Sequence, residues 1–508
     1  MRDRMNEKEG HTDRVGAAMN RRMWSGRWLR SRRFTGYLMA VHVVLLLVAI
    51  ALPQPPSPDE ATYLALAESM THGGFSVWDG IYDPVPVEVH RTHGYPAFLM
   101  VVRMVSKSKF FLGLVQGALY LLALWLVLRY LRTQEDADLR RNVFLLAMLP
   151  QLQLLYYVGQ VFPEPLMVLL LTALALSYGR GMGRLHDPWV RILLLVVAFW
   201  VRPIVLLLPL FLLVVDLFLE PRAQWIATGK RQLVVIAGFV LLGPFLFACW
   251  NLRTHGYFKP VPLTGSAVIS NLGLWQLRLP GYGTVHYFQY NTFGREIIPW
   301  VDEANAARYY SAYQEQWDRI EARAATAMMP EDRAHVPAMM EHNVWATRSP
   351  AYTIALDQAI REENWAMIKA DPWYYLVSRL YTSVRLWVTN INLPMERVIY
   401  RLSPGEHPRV GRPAGAMGWA KALIPFLITF VTFGLGLPFL LISVIRDPRR
   451  WYVRRYLLAT VGYVWLIHIP MLIQSRYTVP VHVLAILCIV LALTDRKQAP
   501  APVGQPGR

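Results

Sequence analysis

The chain has 508 residues, of which 54% are hydrophobic and eighteen are tryptophan, and its mean hydropathy is positive. It is too apolar to be one soluble core, and several apolar runs reach the length that crosses a bilayer. The formal charge of +18 does not point to nucleic acid, because the basic residues stand in short loops between apolar runs and not along one soluble face. Cys249 and Cys488 are the two cysteines, each inside an apolar run, so neither a disulfide framework nor a thiolate metal site is expected.

Residues 1–33 carry ten Lys or Arg against four acids, which places a basic tail, 1–35, in the cytoplasm by the positive-inside rule. A first span follows at 36–52. The PQPPSPDE after it offers no small-residue cleavage site, so the span reads as a retained anchor. Residues 54–93 then hold six carboxylates and a single cation of the Lys or Arg type, Arg91. This acidic loop faces away from the cytoplasm, with Asp59 and Glu60 side by side at the start of a helical stretch.

Spans are next expected at 110–128, 143–158 and 164–178. The net basic stretches between and after them, 129–141 and 179–191, are cytoplasmic, which leaves GQVFPEP outside with Glu164. Parity requires that 95–105, too short to cross, be a partly embedded helix on the outer face. Residues 192–219 are interrupted by Arg202-Pro203 and read as two short crossings with the break near the outer surface. An intramembrane Arg beside a helix-breaking Pro is costly unless it lines a cavity. A span at 233–250 returns the chain outside, where 251–418 has no clean crossing. That long loop reads as amphipathic helix over 300–327 and again over 352–387. Three final spans, at 420–445, 456–473 and 478–493, are separated by the basic RDPRRWYVRR inside and QSRYTVP outside. The count is about ten or eleven spans, with a Pro-rich disordered tail at 495–508. The fold expected is an all-α polytopic integral membrane protein, one transmembrane unit over 36–494.

The outer face therefore gathers Asp59, Glu60, Tyr63, His90, Arg91, His93, Glu164, Arg202, Arg253, His255, Arg476 and Tyr477 from distant parts of the chain. A carboxylate in a partly dry cavity can take a proton from an acceptor hydroxyl, and Arg can neutralise a departing phosphate. The planar guanidinium fork suits phosphate oxygens better than the point charge of Lys. Each residue also has an ordinary structural use. Asp59 and Glu60 suit the first turn of a helix, Glu164 can begin a helix after Pro163, Arg91 and Arg476 can anchor helices at headgroup level, and the histidines can be hydrogen-bonded structural groups. The aromatic residues suit interfacial belts, with Trp275 and Trp387 as candidate sugar platforms.

The order of these features resembles a known family. An Asp-Glu after the first span, Tyr63 with a helical ALA, R-x-x-GYP, an FPEP acid, Arg-Pro in a middle span, WNxRxxG and RYxxP before the last span are similar to the GT-C superfamily of polyprenyl-phosphate-dependent glycosyltransferases. The likeness is to the branch of protein mannosyltransferases and lipid A aminoarabinose transferases (glycosyltransferase family 39-like), and it extends over 37–493. It implies a GT-C-type helix bundle, with amphipathic helices in its extracytoplasmic loops. It also implies inverting transfer of one sugar from a polyprenyl phosphate to a lipid, glycan or protein hydroxyl, in a bacterial inner membrane with the site facing the periplasm. By position, Asp59 matches the first-loop catalytic acid with Glu60 its neighbour, and Glu164 matches the second-loop acid. Arg91, with His90 beside it, and Arg476-Tyr477 match the donor-phosphate side, while Tyr63, His93, Arg202, Arg253 and His255 are candidate substrate-lining residues. Two departures are His93, where relatives often carry Pro, and the lack of a large soluble C-terminal domain. No cofactor is assigned. Some distant relatives place the phosphate with a divalent cation, but nothing here has diagnostic ligand spacing, so the metal is left open. The partners implied are the lipid-linked donor, the acceptor and membrane lipids, without nucleic acid. The readings from other classes are a transporter or lipid flippase, which would use broken helices and buried charges as a path, and a lipid-linked oligosaccharide polymerase or ligase.

Overall fold

A computed structural model describes residues 27–51, 59–77, 87–89, 91–179, 182–221, 224–261, 315, 318–325, 350–383, 385–388, 427–470 and 477–495, and these contain helices and no strand. The helices are α1 Arg32–Ala51, α2 Glu60–Thr71, α3 Gly94–Val105, α4 Lys109–Leu131, α5 Ala137–Met148, α6 Leu152–Val158, α7 Glu164–Leu176, α8 Pro188–Val201 and α9 Leu208–Leu219. They continue with α10 Trp225–Val240, α11 Leu246–His255, α12 Pro350–Ala370, α13 Pro372–Ser383, α14 Arg385–Val388, α15 Gly436–Arg446, α16 Pro448–Val453, α17 Arg455–His468 and α18 Val479–Thr494.

Four helical stretches are long and apolar enough to cross a membrane: Arg32–Ala51, Lys109–Leu131, Thr228–His255 and Leu427–Arg446. Thr228–His255 runs through α10 and α11 by way of a π turn, Leu241–Phe245, around Pro244. The wider turn lets the helix continue past a residue that cannot donate its backbone bond. The expected single span at 143–158 is corrected, because helix geometry fails around Pro150 and leaves α5 and the short α6. The expected helix at 352–387 is likewise interrupted among the described residues, at Asp371 before Pro372. Of the one expected at 300–327, the described residues, 315 and 318–325, are helical.

The centre of the bundle is α7 and α18, which pack on each other, with α4, α8 and α17 against α7 and with α5 and α17 against α18. Nearly every side chain of α18 is buried, whereas α1, α10 and α15 leave apolar residues such as Val44, Leu233 and Leu441 exposed, as lipid-facing helices do. With lipid as solvent, close packing has to hold the helices together. One place where it does so is Gly113 and Gly117 of α4. A Cβ on Gly113 would stand 2.8 Å from Ile50, and one on Gly117 would stand 2.9 Å from Leu46, both of α1. The GxxxG spacing presents one bare stripe to the neighbouring helix.

Polar contacts sort the loops into two ends. At one end Asn142 donates to the carbonyls of Leu29 and Ser31, Arg191 to that of Ser177, Asp495 meets Arg140 and Arg454, and Asp216 meets Arg455. All of these lie in or beside stretches expected in the cytoplasm. At the other end Arg91 meets Asp59, Thr92 donates to Val201, Arg202 meets Glu164, and Thr478 Oγ1 donates to Leu386. The basic-loop parity and the packing thus give the same grouping, including the break at Arg202-Pro203 between α8 and α9.

A cysteine placed at the exposed His72, in a chain lacking Cys249 and Cys488, is expected to react with a membrane-impermeant reagent added outside. A cysteine at the exposed Arg132 should react only after the membrane is opened. The reverse pattern would invert the topology.

Candidate functional site

The site grows from four short segments held at the outer end of the bundle. Pro163-Glu164-Pro165 starts α7, and at 13 residues that helix is about 20 Å long, against a hydrocarbon thickness of about 30 Å. Glu164 thus begins inside the bundle, and it has no exposed surface. The break after α8 brings Arg202 to it, with Nη2 donating to Oε1 at 2.6 Å. The other carboxylate oxygen, Oε2, is buried without a hydrogen-bond partner. The loop ahead of this acid is tied by Gln116, a buried amide in the middle of α4, which donates to the carbonyls of Val158 at 3.0 Å and Gln160 at 2.7 Å. Tyr95 on α3 donates its hydroxyl to Gln116 Oε1 at 3.2 Å.

The second pair comes from the acidic loop. Asp59 occupies the N-cap position of α2, yet its side chain makes no capping bond. Its Oδ1 instead accepts from Arg91 Nη2 at 2.7 Å. The ordinary capping role open to Asp59 is therefore not the one the carboxylate takes. Arg91 also lies 5.3 Å from the centre of the Tyr63 ring, and Tyr63 meets Tyr95 edge-on at 4.9 Å. Burial pushes the Tyr63 phenol up, and the charges it feels after that are those of Arg91, Asp59, Arg202 and Glu164. Arg91 of the first pair thus lies against the ring, and the second pair, Glu164–Arg202, is near enough for its charges to act on the same tyrosine.

The strap between the pairs is the sequence Arg91-Thr92-His93-Gly94. Thr92 Oγ1 donates to Val201, the residue before Arg202, at 3.1 Å. Gly94 lies so close to α8 that a Cβ there would be 2.4 to 2.6 Å from the backbone of Trp200 and Val201. The glycine of GYP is therefore a steric requirement. His93 stacks on Phe75 at 3.8 Å and meets Trp250 edge-on at 4.3 Å. Burial and the nearby His255 bring its imidazole down to about 4, so it is neutral at neutral pH. His255 stands against Trp250 at 5.3 Å and stacks on Tyr257 at 5.6 Å. His93 Nδ1, His255 Nε2 and the Tyr257 hydroxyl are buried without hydrogen-bond partners.

The structure thus joins Asp59, Arg91, Tyr63, Glu164 and Arg202, and places the His93 and His255 cluster beside them. Tyr477 lies 6.0 Å from the Arg202 guanidinium and stacks on His468 at 4.8 Å. Glu60, expected among the catalytic acids, turns to Lys109 at the start of α4. Arg253 is exposed on α11, and no contact among the described residues joins it to the pairs. Trp387 is corrected as a sugar platform, because it is buried and packs on Phe433 and His482. His90, Arg476 and Trp275 lie outside the described residues. Among the described residues no group of three or more His, Cys, Asp or Glu side chains is placed to hold a metal. Gln116, Lys109 and His468 do not stand out in the sequence as site residues. For Gln116 the one legible signal is a lone amide inside an apolar span.

No family model matches the chain, and no curated protein matches it. Two solved structures are similar to it, both of ArnT from Cupriavidus metallidurans. The apo state is 13% identical over 90% of this chain and 76% of that one, with a TM-score of 0.35. The form bound to undecaprenyl phosphate is 14% identical over 91% and 78%, with a TM-score of 0.36. A likeness at TM-scores this low carries no weight for the chemistry, which rests on the side chains themselves.

Two pairs of substitutions check this geometry by thermal unfolding in detergent. Removing one partner of a buried ion pair costs about 3 to 5 kcal/mol, so Arg202→Ala is expected to destabilise strongly, with Glu164→Gln in the same chain restoring part of the loss. Gly94→Ala should cost at least about 1 to 3 kcal/mol because the obstacle is backbone, whereas Gly229→Ala, with nothing within 4 Å of its added Cβ, should be near neutral.

Proposed function

We propose that this protein is a membrane-embedded glycosyltransferase of the GT-C type. It transfers one sugar from a polyprenyl-phosphate carrier to an acceptor hydroxyl, with inversion, on the extracytoplasmic side of a bacterial inner membrane. The observation that carries this reading is the convergence of Asp59–Arg91 and Glu164–Arg202 around Tyr63, at the end of the bundle opposite the basic loops. The order of motifs along the chain supports it independently.

In the reaction proposed, the acceptor oxygen attacks the anomeric carbon from the face opposite the phosphate. Its proton passes to Asp59, the bond between the anomeric carbon and the phosphate oxygen breaks, and the electron pair leaves with the lipid phosphate. A carboxylate serves as the base because it starts ionised and ends neutral, which a water-poor site favours. Asp59 suits this role better than Glu164, because its side chain is 18% exposed where that of Glu164 is fully buried, and an acceptor has to reach it. Arg91, and Arg476 by its position in the chain, would meet the phosphate. Glu164 holds Arg202 and with it the α8–α9 break.

Against a transporter stands the apolar stretch between the two ends. Asp216, Glu220 and Asp495 at the other end are held by Arg455, Arg140 and Arg454, and the described faces of α7 and α18 between the two ends are apolar apart from Thr172, His482 and Thr494. An oligosaccharide polymerase or ligase differs by consuming a diphosphate-linked chain instead of a monophosphate-linked sugar.

Mass spectrometry of lipids and envelope glycans from a strain lacking the protein should show a product missing by one sugar, restored by the wild-type chain. Asp59→Asn keeps the side chain's size but cannot take the proton, so turnover is expected to fall about a hundredfold or more, with the protein folded and in the membrane. Near-normal product from Asp59→Asn would remove Asp59 as the base. Loss of a diphosphate-linked chain instead of a single sugar would favour the ligase.

A further inference from the structure

The two acid–arginine pairs differ in how easily they can part. Both side chains of Asp59–Arg91 keep some contact with solvent, 18% and 32% exposed, whereas in Glu164–Arg202 the carboxylate is 0% and the guanidinium 17% exposed. An ion pair sealed from water resists separation, since each bare charge would bear the full desolvation penalty. A half-wet pair resists much less.

Three further features make the Asp59–Arg91 pair separable. Asp59 stands at the N-cap of α2 without using its side chain as a cap, so the amides of that first turn are at hand for its carboxylate once Arg91 leaves. Arg91 rests against the face of Tyr63 at 5.3 Å, which keeps the cation near the site in a new position. The next residue, Thr92, is bonded to the backbone of Val201, so the strap itself stays in place while the side chain swings.

Resting on the proposed glycosyltransferase function, we infer that the lipid phosphate is admitted by counter-ion exchange. An arriving phosphate draws Arg91 from Asp59, and this exposes the base only when the donor is in place. Glu164–Arg202 remains closed throughout and serves as the fixed wall. Asp59 holds Arg91 through a charge-assisted contact, and an arriving phosphate draws on the same guanidinium, so the two anions compete for Arg91. The same competition sets the order of events. The donor binds first, the acceptor is deprotonated second, and departure of the lipid phosphate lets the pair close again.

This competition has a consequence opposite to that of a carboxylate that merely positions Arg91. Removing Asp59's charge should tighten binding of the phosphate. The probe is undecaprenyl phosphate titrated into the purified full-length chain in nanodiscs. Arg91→Ala is expected to weaken binding about tenfold, the loss of one charge-assisted contact. Asp59→Asn, and Asp59→Ala as a second variant, should tighten it about threefold to tenfold, and Glu164→Gln should not tighten it. In an Arg91→Ala background Asp59→Asn should lose its tightening effect, the non-additivity expected of two groups that interact. Unchanged or weaker binding by both folded Asp59 variants, with wild-type binding intact, overturns the exchange and leaves the proposed function standing. Tightening that persists without Arg91 also overturns it. A folded wild-type chain that binds no undecaprenyl phosphate overturns the function and the exchange together.

Discussion

A carboxylate with no exposed surface in a membrane bundle persists only where a cation meets it, and the outer half of this protein is arranged around that requirement at Glu164. Its partner Arg202 can arrive only because the helix over 188–201 stops at Pro203, and the stop is tolerated because the residues around it find other partners. The Tyr463 hydroxyl donates to Ile204 and accepts from Leu207, and Thr92 donates to the carbonyl of Val201. The break that would cost most in lipid thus becomes the wall of a site.

From that wall the rest of the site is built at short range. Gly94 seats the acidic loop's strap against Trp200, Thr92 bonds one residue short of Arg202, and Arg91 is thereby delivered to Asp59. Gln116 fixes the approach to Glu164 from the other side. A helix of ordinary spanning length in place of α7 would have carried the acid out to the headgroups. Glu164, with no exposed surface, stands where an unpaired charge is costly and a paired one is fixed in position.

The opposite end shows the same physics in a static use. Asp216 meets Arg455, Gln232 and Tyr456, and Asp495 meets Arg140 and Arg454, so loops distant in the chain are fastened together. These pairs fasten α9 to α10 and α17, and the end of α18 to α5 and the start of α17, while the pair at the other end keeps some contact with solvent. The two outer acids differ in the same way, Asp59 keeping some exposure and Glu164 none, a distinction that residue type alone does not make.

Sequence alone determined the class of protein, an all-helical membrane protein, because span length acts locally and can be read within about twenty residues. It also singled out Asp59, Arg91, Glu164 and Arg202, through their setting beside apolar runs and prolines. Partnership was not legible. That Asp59 meets Arg91 depends on the strap over 91–94 seated on α8, that the adjacent Glu60 turns to Lys109 depends on where α4 begins, and the burial of Trp387 depends in part on α18. The break at Pro150, unlike that at Pro203, is hidden in the sequence because an apolar run reads as one helix until its packing is known. Only the tertiary structure decided these, since the pairing of a buried charge is settled by which distant segment reaches it, and that is a property of packing and not of any window of sequence.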